Sequence, residues 1–153
     1  MVGEPYLMKN SAHRKETMKS IDVYLNFDGN CKQAMEFYKK CLGGELYTTP
    51  FSEAPFDSPK EPKDRVIHAA LQVGSGMLMA SDTMPGMPFT PGNNFSVMIE
   101  CENAAEQDRI FAALGDGGNV TMPIQDTFWD ARFGMVIDRF GISWMFNLPK
   151  SKT

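Results

Sequence analysis

The chain has 153 residues, which is enough for one domain with a proper hydrophobic core. Hydrophobic residues make up 42% and charged residues 22%, and the net charge of −4 gives no sign of the basic face that nucleic-acid binding needs. No apolar run approaches the roughly 20 residues of a membrane span. The sequence has three cysteines, and their spacings are typical of neither zinc sites nor disulfide frameworks. This favours reduced thiols in a cytoplasmic protein.

The N-terminal part of the sequence divides into a polar arm and the first regular elements. Residues 1–17 are polar and without period, which predicts a disordered arm or a vector remnant. The alternating stretch IDVYLNF (21–27) predicts a strand with Asp22 and Tyr24 on one face. An apolar stripe at helical spacing then begins at Cys31 and stops at a pair of glycines.

The middle of the chain alternates loops and strands. Residues 50–64 hold four prolines and many charges, which is typical of a long loop. The stretch 65–82 predicts a hairpin that turns at GSG, and 83–94 is a linker rich in Pro, Gly and Met. Aspartates near hairpin ends, such as Asp82 and Asp138, are expected to be solvated.

The pattern then starts again. Residues 95–101 predict a strand, 103–118 a helix that also ends at a glycine pair, and FWDARFGMVIDRFGISWMFNL (128–148) two strands joined by a tight turn. GGEL at 43 matches GGNV at 117, an offset of 74. This internal repeat predicts an α+β domain over 18–149, built from two βαβββ modules at 21–82 and 95–148.

These stretches resemble a known family. YLNFDGNCKQAMEFYKKCLGG, HAALQVGSGMLMASD and TMPIQDTFWDARFGMVIDRFGISWMFN are similar to the PhnB-like branch of the glyoxalase/bleomycin-resistance, or vicinal oxygen chelate, superfamily. The resemblance implies two curved, open, mixed sheets around a pocket, helices on the convex side, and a homodimer. Some PhnB-like domains carry a demethylubiquinone methyltransferase label, but this sequence has no strand followed by a G-x-G-x-x-G turn.

The resemblance also implies where a metal would sit. In the superfamily the ligands lie near the start of the first strand and on the last strand of each module, and these positions fall here on Asp22, Met79, Ser96 and Met145. Thioethers are poor ligands for zinc or iron and suit copper(I) instead. We therefore expect no metal and no cofactor, with Met79 and Met145 as soft packing in a pocket.

Other side chains are candidates for a ligand site. Alternation places His68 on the face opposite an apolar one, as a general base or as a structural histidine. Trp129 caps the pocket or packs in a dimer seam, and Arg132 holds an anionic group or is solvated. Ser96, Met98 and Glu100 share one face, as do Asp22 and Tyr24.

Three functions remain open at this point, and fold alone does not choose among them. We rank first a protein that binds a small molecule without a metal. A metal-independent enzyme with His68 as acid or base comes second, and a metal-dependent lyase or dioxygenase of the glyoxalase type third.

Overall fold

The structure is a computed structural model, and it describes residues 18–54 and 64–150. The predicted arm 1–17 lies outside the described residues. The regular elements in chain order are β1 (Val23–Phe27), α1 (Cys31–Leu42), β2 (Glu45–Pro50), β3 (Val66–Val73), β4 (Gly76–Asp82), β5 (Val97–Glu100), α2 (Ala104–Gly115), β6 (Asn119–Asp126), β7 (Ala131–Ile137) and β8 (Ser143–Pro149).

The strands form two four-stranded sheets with the same plan. The first sheet has the order β1-β4-β3-β2 and the second the order β5-β8-β7-β6. In each sheet the first strand pairs in parallel with the last, and the other neighbours are antiparallel. The predicted α+β class with two mixed, open βαβββ units is therefore confirmed.

One hydrophobic core joins both units. It contains side chains of both helices and one face of each sheet, including Leu25, Tyr38, Leu71, Trp144 and Phe146, all almost fully buried. We call this side of each sheet its helix face and the opposite side its open face. Trp144 and Phe146 lie on the helix face, as the alternation of β8 predicts, which leaves Met145 on the open face of the second sheet.

A glycine pair follows each helix and lets the chain turn back onto the sheet. A Cβ on Gly44 would lie 2.1 Å from the carbonyl oxygen of Gln72, and one on Gly118 would lie 2.2 Å from that of Ile137. Only glycine allows the backbone to approach a neighbouring strand so closely. The repeat in the sequence thus reflects the same close contact in both units.

Two aspartates predicted to be solvated are buried instead. Asp82 and Asp138 are each 3% exposed. Asp82 accepts hydrogen bonds from the backbone N–H groups of Gly29, Cys31 and Val66, which compensate for the cost of burying its carboxylate. Neither helix among the described residues is long and apolar enough to cross a membrane.

Candidate functional site

The open face of the second sheet carries a row of methionines that crosses all four strands. Met98 on β5 is opposite Met145 on β8, Met145 is opposite Met135 on β7, and Met135 is opposite Met122 on β6. We call these four residues the methionine row. Met98 is 51% exposed and the other three are half-buried. Thioether side chains are flexible and polarisable, so the row makes an adaptable apolar floor.

A polar pair, Glu100 and Asn147, lies beside the methionine row. These residues are two positions beyond Met98 on β5 and Met145 on β8. Asn147 Nδ2 donates to both carboxylate oxygens of Glu100, at 3.1 and 3.2 Å. Asn147 Oδ1 is buried and finds no hydrogen-bond donor among the described residues. The side-chain amide of Asn147 cannot be flipped, because its oxygen would then face the Glu100 carboxylate. The pair therefore presents the exposed carboxylate of Glu100, which the Asn147 amide orients.

One aromatic ring borders this polar pair, and two more rings extend from it. Phe133 on β7 is the cross-strand neighbour of Asn147. The Trp129 ring packs edge-on against Phe133 with centroids 5.5 Å apart, and the Phe128 ring packs against Trp129 at 4.9 Å. Asp130, which has φ of 59°, completes the turn that holds Trp129 in front of β7. Phe128 is 96% exposed and Trp129 49%, so the rings present an uncovered apolar wall.

A cavity of about 820 Å³ adjoins this face. It lies between β1, the linker that leads to β5, and the β7–β8 hairpin. Met135 and Ser143 line it from the second sheet, and Tyr24 and Asn26 line it from β1. Ser143 Oγ lies 2.9 Å from Ser96 Oγ, which places Ser96 at the border of the same region. Small-molecule sites commonly have volumes of roughly 300–1,000 Å³.

The first sheet holds the other predicted residues on its own open face. Tyr24 on β1 is opposite Met79 on β4, and the Tyr24 hydroxyl lies 3.3 Å from His68 Nδ1. Both Tyr24 and His68 are exposed. Asp22 precedes β1, and its carboxylate accepts a hydrogen bond of 2.6 Å from the Ser20 hydroxyl. His68 therefore has a hydroxyl partner suited to acid–base chemistry, although either atom can be the donor.

The predicted residues thus form two groups in one chain. Ser96, Met98 and Met145 lie together on the second sheet, with Trp129 nearby, while Tyr24, Met79 and His68 lie together on the first. Of the residues predicted from the sequence, Tyr24 lines the cavity directly.

The Arg132 side chain has partners on a helix. It lies within β7, and its guanidinium turns to α2. There it donates to Gln107 Oε1 at 2.8 Å and to Asp108 Oδ1 at 2.9 Å. Gln107 is fully buried and also donates to two backbone carbonyl groups. The arginine is therefore engaged on the helix face, and we leave it out of the ligand site.

The three cysteines are buried and reduced. Burial raises the pKa of the Cys31 thiol to about 12 and that of Cys101 to about 11, and neighbouring carboxylates add to both shifts. A thiol with a raised pKa holds little thiolate at neutral pH, so these cysteines are poor nucleophiles.

The described residues offer few donors for a hard metal ion. Between 18 and 54 and between 64 and 150, no three His, Cys, Asp or Glu side chains converge. Asp22 and Met79 belong to the first unit, and Ser96 and Met145 to the second. One carboxylate, one hydroxyl and two thioethers do not match the ligand sets of zinc or non-haem iron.

Asn147 was missed by the sequence reasoning, although the alternation of β8 contains a signal for it. The strand reads SWMFNLP, which places Asn147 on the face of Met145. Glu100 was assigned to the face of Ser96 and Met98. The contact between Glu100 and Asn147 depends on the parallel register of β5 and β8, and periodicity in one strand does not fix the register between two strands.

Comparison with known proteins identifies the family. A family model described as 3-demethylubiquinone-9 3-methyltransferase matches residues 19–146. The chain belongs to this family. Protein YjdN of Escherichia coli K12 is 34% identical to this member over 143 residues, which is 86% of this chain and 97% of YjdN.

Solved structures place this family member in the PhnB-like group. Protein PA1353 from Pseudomonas aeruginosa is 42% identical, with a TM-score of 0.75 over 85% of this chain and 98% of that one. The PhnB protein from Bacillus cereus is 26% identical, with a TM-score of 0.67 over 85% and 99% of the two chains. Glyoxalase/bleomycin resistance proteins share the fold at 15% and 18% identity. The resemblance predicted from the sequence is confirmed.

Proposed function

We propose that the protein binds a small organic molecule on the open face of its second sheet, without a metal ion. The observation that carries this proposal is the methionine row next to the 820 Å³ cavity. Adaptable thioethers suit a surface that fits around an apolar ligand. Ser96, Ser143 and Asn147 are polar groups placed to orient the ligand.

A metabolite screen tests this proposal. A ligand that binds the folded form raises the melting temperature according to its concentration and dissociation constant. The protein labelled with ¹³C at its methionine methyl groups then locates the site, because Met98, Met135 and Met145 should shift on binding. Met145→Ala should weaken binding, whereas Met18→Ala should not, since Met18 precedes β1 and is 71% exposed. A ligand that shifts only methionines of the first sheet would contradict the proposed location.

We also propose that the protein works as a homodimer in which a second copy covers the open faces. In one chain Tyr24, Tyr47, Met98, Phe128 and Trp129 are between 44% and 96% exposed. So much uncovered apolar surface on two sheets is typical of an interface. Sedimentation velocity at micromolar concentration should show twice the chain mass, and Phe128→Ser should weaken the association. A monomer under these conditions would refute the proposal.

The second candidate function is a metal-independent enzyme that uses His68. It is favoured by the 3.3 Å contact between the Tyr24 hydroxyl and His68 Nδ1, which gives an exposed imidazole a polar partner. A positioned histidine contributes typically 10²–10⁴-fold to a proton transfer. If a compound found in the binding screen is also turned over, His68→Gln should lower kcat by that order. If the unmodified protein does not turn the compound over and His68→Gln still binds it, the enzyme hypothesis is wrong and only the binding function remains.

A further inference from the structure

We propose that the ligand of this face is an aromatic amine whose ammonium group is held by the Glu100 carboxylate, which Asn147 orients. This rests on the proposed binding function and names the chemical class of the ligand. The polar end of the site offers the exposed carboxylate of Glu100, to which Asn147 Nδ2 donates. An ammonium group supplies N–H donors and positive charge, and both match an exposed carboxylate.

Within residues 18–54 and 64–150, no cation pairs with Glu100. Arg132, the cation nearest in β7, is engaged by Gln107 and Asp108 on the helix face, and Lys150 pairs with Asp126 at 3.0 Å. The negative charge of Glu100 is therefore free to act on a ligand, and a ligand carboxylate would be repelled there.

The apolar body of the ligand follows from the neighbouring side chains. Phe133 is adjacent to Asn147 across the sheet, and Trp129 and Phe128 extend the wall outward. Met145 forms the floor two residues before Asn147 on the same strand. Aromatic faces attract both flat rings and cations, and thioethers also pack well against rings. The site thus fits a flat ring with a short arm that ends in an ammonium group.

Three indole compounds that share one ring test this inference. Tryptamine carries an ammonium group on its arm, tryptophol a hydroxyl, and indole-3-acetate a carboxylate. Binding is followed by the methyl shifts of Met98, Met135 and Met145 and by calorimetry. We expect tryptamine to bind about 5-fold or more tightly than tryptophol, and indole-3-acetate to bind most weakly.

Charge reversal at the site is the sharper measurement. Glu100→Lys should reverse the order of tryptamine and indole-3-acetate. Glu36→Lys is the matched control: Glu36 is exposed on α1, so this change alters the net charge equally and should leave the order intact. Glu100→Gln should remove most of the preference for tryptamine while leaving tryptophol binding unchanged.

The possible outcomes separate the two proposals. Equal binding of the three compounds, a preference for indole-3-acetate, or the same effect of Glu100→Lys and Glu36→Lys would overturn the amine assignment and leave the binding function in place. If none of the three compounds shifts the three methionine methyl groups, both the amine assignment and the proposed location of the site are wrong.

Discussion

The Tyr38 hydroxyl donates a hydrogen bond of 2.6 Å to Asp138 Oδ2, across 100 positions of the chain. Trp144 Nε1 donates to the same oxygen at 2.8 Å, and the backbone N–H groups of Phe140 and Ile142 donate to the other oxygen. The buried carboxylate of Asp138 therefore stabilises the β7–β8 turn. It also connects this turn to α1 of the first unit. Because of this contact and the shared core, the two units should unfold together.

The first prediction removes that contact. Tyr38→Phe keeps the ring but leaves Asp138 Oδ2 with one donor fewer in a buried place, which should lower the free energy of unfolding by about 1–3 kcal/mol. Tyr47→Phe is the matched control, because the Tyr47 hydroxyl makes a bond of the same length to Glu45 on the exposed surface. Urea unfolding of both variants measures the difference. Equal losses would mean that burial of Asp138 adds nothing to this hydrogen bond.

Sequence patterns could not show that Asp82 and Asp138 are buried. Near a hairpin end, an aspartate that is solvated and one that accepts several hydrogen bonds look the same in the sequence. The partners of Asp82 come from Gly29, Cys31 and Val66, and one partner of Asp138 is Tyr38, so the contacts exist only after the chain has folded. Long-range tertiary contacts override the local preference of a polar residue for solvent.

The sequence did predict the features that depend on local pattern. The hairpin at GSG and the two strands of the closing stretch follow from alternation and turn chemistry. Arg132 shows the limit of this approach. Its contact with Gln107 was not foreseen, because that partner lies 25 residues away on a helix.

The second prediction concerns the close approach at Gly118. Gly118→Ala places a Cβ against the backbone oxygen of Ile137, and backbone cannot yield as a side chain does. We expect a loss of about 2–4 kcal/mol in the free energy of unfolding. Gly92→Ala is the control, since its nearest neighbour is a side-chain oxygen at 3.5 Å. Comparable stability of the two variants would show that the second sheet shifts easily at this point.

The third prediction tests the role of Arg132. Arg132→Met should lower the free energy of unfolding by about 1–3 kcal/mol, because it leaves the buried Gln107 Oε1 without this donor. Ligand preference should not change, since the guanidinium lies on the helix face. Asp108→Asn is the control: it weakens only the exposed part of the contact and should cost under about 1 kcal/mol. Loss of anion binding at unchanged stability would return Arg132 to the ligand site.

The fourth prediction is a loss of stability at alkaline pH. Burial and the Asp82 carboxylate raise the pKa of Cys31 from 9.0 in the unfolded chain to about 12 in the folded protein. Above pH 9 the unfolded chain releases this proton while the folded protein keeps it, so unfolding becomes easier as the pH rises. The contribution is complete below pH 9 and is lost between 9 and 12. Each such thiol adds a slope of at most about 1.4 kcal/mol per pH unit.

Urea unfolding at several pH values between 7.5 and 10.5 measures this slope. Cys31→Ala should make it shallower, but Cys101 and Tyr38 also have raised pKa values and should keep part of it. Met35→Leu is the control, because Met35 is fully buried on the same helix and carries no proton to lose. Identical slopes for Cys31→Ala and Met35→Leu would contradict the assignment to the thiol.

The fifth prediction is that divalent metals do not stabilise the protein. The superfamily positions hold Asp22, Met79, Ser96 and Met145, and thioethers are weak ligands for Zn²⁺, Ni²⁺ and Mn²⁺. A tenfold excess of metal over its dissociation constant would add about 1.4 kcal/mol, which a melting curve detects easily. We expect no such shift with any of the three ions, and no stoichiometric metal in protein purified without chelator.

The double variant Ser96→His, Met145→Glu is the converse control. Ser96 lies just before β5 and Met145 lies on β8, as diagonal neighbours, so a shift that appears only in this variant would support the assigned register. A metal shift in the unmodified protein would restore the lyase or dioxygenase hypothesis.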